Sequence, residues 1–534
     1  MQKLPISISG FPELRKKNCV YVDKTKHIYS LLNDNSRTFL SRPRRFGKSL
    51  LVSTLEAALQ GKKELFEGLW IAKSDYSFEP KGVISLDFSK LTVDSKDGFL
   101  RSLIYVLKDI GKMNEITLED NPDLNVVFMD LISALYTKFQ FVAILIDEYD
   151  YPILHTLHKP DLAKEIRDVM KSFSCVVKAQ KDFVEFVFVT GVSAFSKSGL
   201  SSGLNNLDNL TMNENFFDIC GYTDKEVDLY FKEHIEKWVD LRKISYEKIR
   251  EDLKNWYNGY CFAENTSTIY SPFSLTCALN IKKFQNFWFQ SATPQFLLDE
   301  LTRQERQEEC KFLSMEGSQG SMDLLQTFEI ECIPLTSLLY QTGYLTIADY
   351  DPESRLYQLR YPNLEVKTAM HRHLLIALTK IAYSPFDTLI GKLFTSLRQE
   401  NMEQLIECFT SLFSNIPYQI HQKAEKFYHA VLQAFFVSAN IKSYAEYSTS
   451  QGRADIILDL PSMYYILELK VNKTPEEALN QIETQKYYEP FIHQGKPIRA
   501  VGISFTRKNA SKKEKSHFSI TYATKKLSSL ITPS

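Results

Sequence analysis

The stretch Phe39–Leu51, FLSRPRRFGKSLL, decides how the N-terminal half is read. It contains Gly47-Lys48-Ser49, the closing triplet of the phosphate-binding pattern G-x-x-x-x-G-K-[ST]. That pattern also wants a glycine five residues before Gly47, where Arg42 stands. The context fits such a loop. A β-rich run, RTFLS (37–41), precedes it. Behind it, in 48–60, Leu50, Leu51, Thr54, Leu55, Ala58 and Leu59 form one apolar helical stripe. In this order, N–H groups of the loop and helix N-terminus cradle phosphate oxygens, Lys48 reaches the outer phosphates, and the Ser49 hydroxyl joins Mg²⁺. Arg42 costs the first turn backbone freedom and Pro43 removes an N–H. Arg44 and Arg45 either bring side-chain charge to the phosphates or bind acidic neighbours.

Working outward, GVISLDF (82–88), FVAILID (141–147) and FVEFVFVTG (183–191) are near-continuous apolar runs. They suit buried strands of a parallel sheet covered on both faces. With helical spacing in 48–60 and 98–111, the pattern is βαβ, and an α/β domain is expected over 1–220. The run FVAILIDEYDYP ends its strand in Asp147-Glu148. Asp147 is placed to hold Mg²⁺ through water, and Glu148 to polarise an attacking water. Thr190, at the end of the next strand, is placed to sense a γ-phosphate.

Residues 221–385 read as a mostly helical middle region with a small sheet. TDKEVDLYFKEHIEKWVDL and SYEKIREDLKNWYNGY are amphipathic helices, QTGYLTIADY…RLYQLRYPN is a β-hairpin, and LEVKTAMHRHLLIALTKI is a helix. SPFDT, near 384, reads as a break. Over 386–534 an α+β block is expected: helices to about 438, two strands, a helix and a last strand.

The 534 residues, 44% of them hydrophobic, are enough for several buried cores. Lys+Arg 64 against Asp+Glu 65 does not suggest a chain coated with nucleic acid by bulk charge. From Lys496 onward, however, nine Lys/Arg face only Glu514. No run is long and apolar enough for a signal peptide or a membrane span, so a cytoplasmic protein without membrane contact is expected. The eight cysteines form no C-x-x-C pair and read as reduced thiols. His155 with His158, and His371 with His373, lack further ligands at metal spacing.

A second constellation lies in GRADIILDLPSMYYILELKV, with geometry that follows from strand alternation. Glu468 and Lys470, two apart, share one face. If the strands turn about Pro461-Ser462, paired residue numbers sum to about 923, and Asp455 falls opposite Glu468, with Cβ atoms about 4.5–5.5 Å apart. Opposed like charges are unfavourable unless something binds them, and a divalent cation does so. Such carboxylates hold Mg²⁺ or Mn²⁺ for phosphodiester cleavage while the lysine orients water or stabilises charge. The upstream helix AEKFYHAVLQAFF offers Glu425 as a further ligand or water anchor. Downstream, Gln481, Gln485 and Tyr488 fall at i, i+4 and i+7 on one polar face.

Together these stretches resemble the AAA-ATPase-like proteins with a C-terminal PD-(D/E)XK nuclease-superfamily domain, which are widespread in bacteria. FPELRKKNCVYVDKT, RPRRFGKS, LIDEYDYPI, VTGVSAFSKSGLSSGLNNLDNLT, WYNGYCF with YSPFSL, and YPNLEV resemble blocks of that family. The resemblance makes the loop without its first glycine a family variant. It implies ATP and Mg²⁺ or Mn²⁺ as cofactors, with Arg44, Arg45, Gly47, Lys48, Ser49, Asp147 and Thr190 at the nucleotide and Glu148 catalytic. GRADI…ILELK…EEALNQIETQKYYEPF resembles the nuclease domain, with Ala454 where a proline is usual. This implies Asp455, Glu468 and Lys470 as its catalytic core, Glu425 at the metal with Glu446 as its competitor for the helix glutamate, and Gln481 and Tyr488 in a supporting helix. The expected partner is nucleic acid, DNA more than RNA, alongside a homo-oligomer or protein partner. The expected function is an ATPase module controlling a nuclease, in defence, mobile-element control or repair. The alternative is a nucleotide-switched binding protein with an inactive nuclease-like domain.

Overall fold

The computed structural model describes residues 1–34, 37–193, 207–288, 316–326, 334–416, 425–508 and 517–527. The described residues divide into two compact units, one up to Val366 and one from Lys367 on. The expected boundaries at 220/221 and 385/386 do not coincide with this division. Residues 221–366 belong to the first unit. SPFDT is not a break either: it lies in the first turns of a helix, Tyr383–Arg398. Proline is tolerated in a first turn, where its missing N–H has no helical partner.

The first unit is built on a parallel sheet. Strands β1 (Arg37–Ser41), β2 (Gly82–Asp87), β3 (Val142–Asp147), β4 (Val184–Gly191) and the short β5 (Asp208–Asn209) lie in the order β2-β3-β4-β1-β5. All pairs are parallel. The continuous apolar runs have the cause expected: every residue of β3 is buried. On one side Phe128 and Phe173, from helices Leu124–Phe139 and Pro160–Ala179, stack 4.2 Å apart. β1 lies between β4 and β5 rather than beside β2; the chain leaves β1 towards β2 on one side and leaves its neighbour β4 towards β5 on the other, so the connections diverge here. Ligands bind beyond the carboxyl ends of strands at such a switch point, and the loop 42–47 sits there.

The charged stretch after Tyr222 forms two helices rather than one. Asp224–Tyr230 opens with a Thr223–Glu226 capping box, and Lys232–Arg242 follows a break at Phe231. The Phe231 ring is buried against Tyr222, with centroids 5.3 Å apart. The hairpin is β7 (Thr346–Asp351) with β8 (Leu356–Arg360); a third strand, β6 (Gln319–Ser321), pairs with β8.

The second unit carries a five-stranded sheet in the order β13-β12-β11-β10-β9. Its strands are β9 (Ser443–Ser448), β10 (Arg453–Asp459), β11 (Tyr464–Val471), β12 (Ile498–Lys508) and β13 (His517–Lys526). β11 and β12 are parallel and joined through the helix Pro475–Thr484; the other pairs are antiparallel. Gly502 allows that helix to press on β12, since a Cβ there would stand 2.2 Å from the Pro475 carbonyl oxygen. The expectation of three strands missed β9 and β13. Both are edge strands, and SYAEYS and HFSITYATKK carry the polar residues that edges tolerate instead of a buried run. Among the described residues no single helix is long and apolar enough to cross a membrane.

Candidate functional site

At the carboxyl ends of β1–β3, Gly47 adopts φ 98°, a left-handed conformation open to glycine, and caps the helix Lys48–Leu59. Lys48 is 3% exposed. Its Nζ donates to the Pro43 carbonyl at 3.3 Å and lies 3.4 Å from a Glu148 carboxylate oxygen. Asp147 Oδ1 accepts from the Glu148 amide at 3.0 Å, and the Ser49 side chain lies close enough to the carboxylate to favour its charged form. Burial, with Glu148 and Asp87 nearby, pushes the Asp147 carboxyl up to about 6 against the pull of Ser49 and Lys48. Asp87 is drawn in by register, opposite Asp147 at the end of β2. Two oxygens from Ser49 and Asp147 beside a buried lysine match the donor set for a hydrated Mg²⁺ on a nucleotide.

Arg42 explains the absent glycine. Its φ is not positive, so the turn needs no glycine there. The guanidinium is 1% exposed and donates to the carbonyls of Ser41, Thr211, Phe216 and Phe217 at 2.9, 2.8, 3.1 and 3.4 Å. It also lies over the Phe262 ring at 4.2 Å. Arg42 therefore fastens the loop to the residues after β5. Trp288 Nε1 donates to the Arg44 carbonyl at 2.8 Å and secures the loop's outer side.

A cavity of about 500 Å³ opens from the loop. Arg44, Arg45, Gly47, Lys48, Ser49 and Glu148 line it. Arg45, at φ 66°, lies over the Phe273 ring at 5.0 Å. Thr190 is not among the lining residues; it is fully buried behind Tyr149, whose amide donates to the Thr190 carbonyl. Far segments complete the wall: Ile8, Val22, Tyr222 and Thr276. Nothing local in the sequence marks them as lining a cavity.

In the second unit, β10 and β11 pair in the expected register: Ile456–Leu467, Ile457–Ile466, Leu458–Tyr465 and Asp459–Tyr464. The ladder ends there, one pair short of Asp455 and Glu468. At the opening, an Asp455 carboxylate oxygen accepts from the Leu469 amide at 2.8 Å. Glu468 is 1% exposed; Oε1 accepts from Lys470 Nζ at 2.9 Å, and Oε2 has no hydrogen-bond partner among the described residues. Burial first, then the Asp455 charge, pushes the Glu468 carboxyl up to about 7, against the pull of Lys470. Burial pulls the Lys470 ammonium down, but Glu468, Glu425 and Asp455 outweigh it and the ammonium is raised.

Among the described residues no group of three His, Cys, Asp or Glu side chains converges as a metal cage. The fit is to a cation that keeps its waters. Mg²⁺ is commonly held through one or two carboxylates, and the unpartnered Glu468 Oε2 beside Asp455 is a donor awaiting a charge. Glu425 reaches the same cluster through the lysine: its carboxylate lies 3.5 Å from Lys470 Nζ. Glu446 turns to Arg453 at 3.1 Å. The supporting face is also corrected: the helix Pro475–Thr484 ends before Gln485, Gln481 donates to the Tyr487 hydroxyl at 3.1 Å, and Tyr488 starts the next turn. His429 escaped the sequence reading, although it stands one helical turn after Glu425. The basic end is largely neutralised where described. Lys496 pairs with Asp459, Lys525 with Glu483, and Arg499 and Lys526 with Glu400. Lys512, Lys513 and Lys515 lie outside the described residues, as do Cys310, Cys332 and 194–206 of the VTGVSAF block.

The fold and the two clusters define an AAA-ATPase-like P-loop unit followed by a unit of the PD-(D/E)XK nuclease class. The AAA-ATPase-like family model, "Predicted AAA-ATPase", matches residues 5–201, and the "PD-(D/E)XK nuclease superfamily" model matches 423–515. The chain is 32% identical over 536 residues to the "Uncharacterized protein in vnfD 5'region" of Azotobacter chroococcum mcd 1, covering 96% of this chain and 98% of that protein. It belongs to the family of AAA-ATPase-like proteins that carry a C-terminal PD-(D/E)XK nuclease-superfamily domain. Among solved structures, the Aeropyrum pernix ORC1 protein in complex with DNA is similar over 65% of this chain and 91% of that one, at 12% identity and TM-score 0.25. A likeness that slight carries no argument.

Proposed function

We propose that this chain is a cytoplasmic, nucleotide-controlled, metal-dependent nuclease acting on DNA. The observation that carries the reading is the opening between β10 and β11, where Asp455, the buried Glu468 and Lys470 converge. Asp455 and Glu468 would hold the cation, Mg²⁺ or Mn²⁺, which supplies Lewis acidity toward a phosphodiester and its attacking water. Lys470 is positioned to hold that water or the charge that develops on phosphate, and Glu425 keeps the ammonium charged and aimed.

In the first unit, Lys48 would meet the outer phosphates of ATP, exchanging its contact with the Glu148 carboxylate for them. Ser49 and Asp147 would hold Mg²⁺, and Glu148 would orient the hydrolytic water. Arg44 and Arg45, at the cavity wall, supply positive charge near the phosphates. Thr190, behind Tyr149, acts through the loop Asp147–Tyr149 rather than on phosphate.

The test is cleavage of plasmid and single-stranded DNA by the full chain with Mg²⁺ or Mn²⁺, with and without ATP. The expected result is metal-dependent cleavage that changes with nucleotide and disappears in Lys470→Ala. DNA bound but uncut under every metal and nucleotide condition would instead favour a binding module with an inactive nuclease-like unit.

A further inference from the structure

The helix Glu425–Ser438 meets three strands of the second sheet through one polar residue per turn. Glu425 reaches Lys470 on β11 at 3.5 Å. Four residues on, His429 Nε2 lies 2.8 Å from the carbonyl oxygen of Asp455 on β10. Four further on, Gln433 donates to the Ser443 hydroxyl on β9 at 3.1 Å. The middle contact falls where the sheet pairing is weakest. The β9–β10 register passes from Ala454–Tyr447 to Ile456–Ala445, and the β10–β11 register ends at Ile456–Leu467. Asp455 is skipped on both sides, and Glu446, the residue it would face on β9, adopts φ 49°. A residue outside both ladders needs another constraint to keep its carboxylate aimed.

We infer that His429 is a positioning residue for the nuclease centre: by donating Nε2–H to the Asp455 carbonyl, it fixes the main chain from which the Asp455 carboxylate reaches the Leu469 amide and faces Glu468. The inference rests on the nuclease reading above. The carbonyl can only accept, so the ring must carry its proton on Nε2. Second-layer contacts of this kind orient donors, and their loss typically lowers metal affinity by about 10–100-fold. Glutamine is the conservative replacement, because its amide nitrogen lies as many bonds from Cα as His Nε2 and also donates.

The test uses the full chain without nucleotide, as wild type, His429→Ala and His429→Gln, with Glu468→Gln marking loss of the site. Two quantities are read: Mn²⁺ affinity by calorimetry, and amide hydrogen exchange of the 464–471 segment in chelator. The expected result for His429→Ala is Mn²⁺ affinity weaker by about 10–100-fold, with faster exchange confined to the Leu469 region. His429→Gln should restore both. Wild-type affinity and wild-type exchange in His429→Ala would overturn the inference. So would a general loss of protection across β10–β13 in both variants, which marks a merely structural contact. A wild type that neither binds Mn²⁺ nor cuts DNA would overturn the nuclease reading as well, whereas a wild type that does both, beside an unaffected His429→Ala, overturns only the role of His429.

Discussion

Replacing Glu468 with glutamine should make the metal-free protein more stable while abolishing the metal site. The carboxyl is raised from its ordinary 4.5 to about 7, by burial first and then by Asp455. Between these pH values the folded state holds a proton that the unfolded chain has lost. Wild-type stability therefore falls as pH rises from about 4.5 and levels off above about 7. At about 1.4 kcal/mol per factor of ten in proton affinity, the cost of ionising Glu468 in place is roughly 3 kcal/mol. Glutamine does not titrate, and its amide can donate to the Asp455 carboxylate. The stability of Glu468→Gln relative to wild type should rise by roughly 2–3 kcal/mol between pH 5 and pH 8. The assay is urea-dependent hydrogen exchange of β11 and β12 in the full chain, with chelator, at the two pH values. Mn²⁺ at pH 8 should stabilise wild type and leave the variant unmoved. A gap that does not change with pH would refute the claim that Glu468 is held at its own expense for a cation.

Arg42→Gly restores the usual loop glycine, yet it should destabilise the first unit by about 3 kcal/mol or more, through four abandoned carbonyls and a lost ring contact; urea unfolding monitors this, and a stable variant would contradict the fastening role. Lys48→Ala should weaken binding of Mg²⁺-ATP by about 100-fold in calorimetry, since it removes the buried ammonium proposed to meet the outer phosphates. Glu148→Gln should retain nucleotide affinity and lose turnover by about 100-fold or more, measured as phosphate release; wild-type turnover would remove Glu148 from the water-polarising role.

Local pattern made several features legible in the amino-acid sequence. The buried strands β2–β4 are legible as near-continuous apolar runs, because both sheet faces are covered. The β10–β11 register followed from alternation about a tight turn, because a one-residue slip would carry every core side chain to the wrong face. The strand–loop–helix order placed Gly47, Lys48 and Ser49 at a helix N-terminus. Wherever a partner lies far along the chain, local pattern was silent. Local pattern gives no physical role for Arg42; the carbonyls of Thr211, Phe216 and Phe217, 169 or more residues away, supply it. Edge strands β9 and β13 carry no buried run to betray them. Asp455 and Glu468 could be placed opposite each other by counting. That the ladder stops beside them, that Glu468 is sealed from water, and that His429 reaches across from a helix were decided by tertiary packing. Periodicity encodes which face a side chain takes, whereas desolvation and hydrogen-bond partners are set by what the rest of the chain brings to that face.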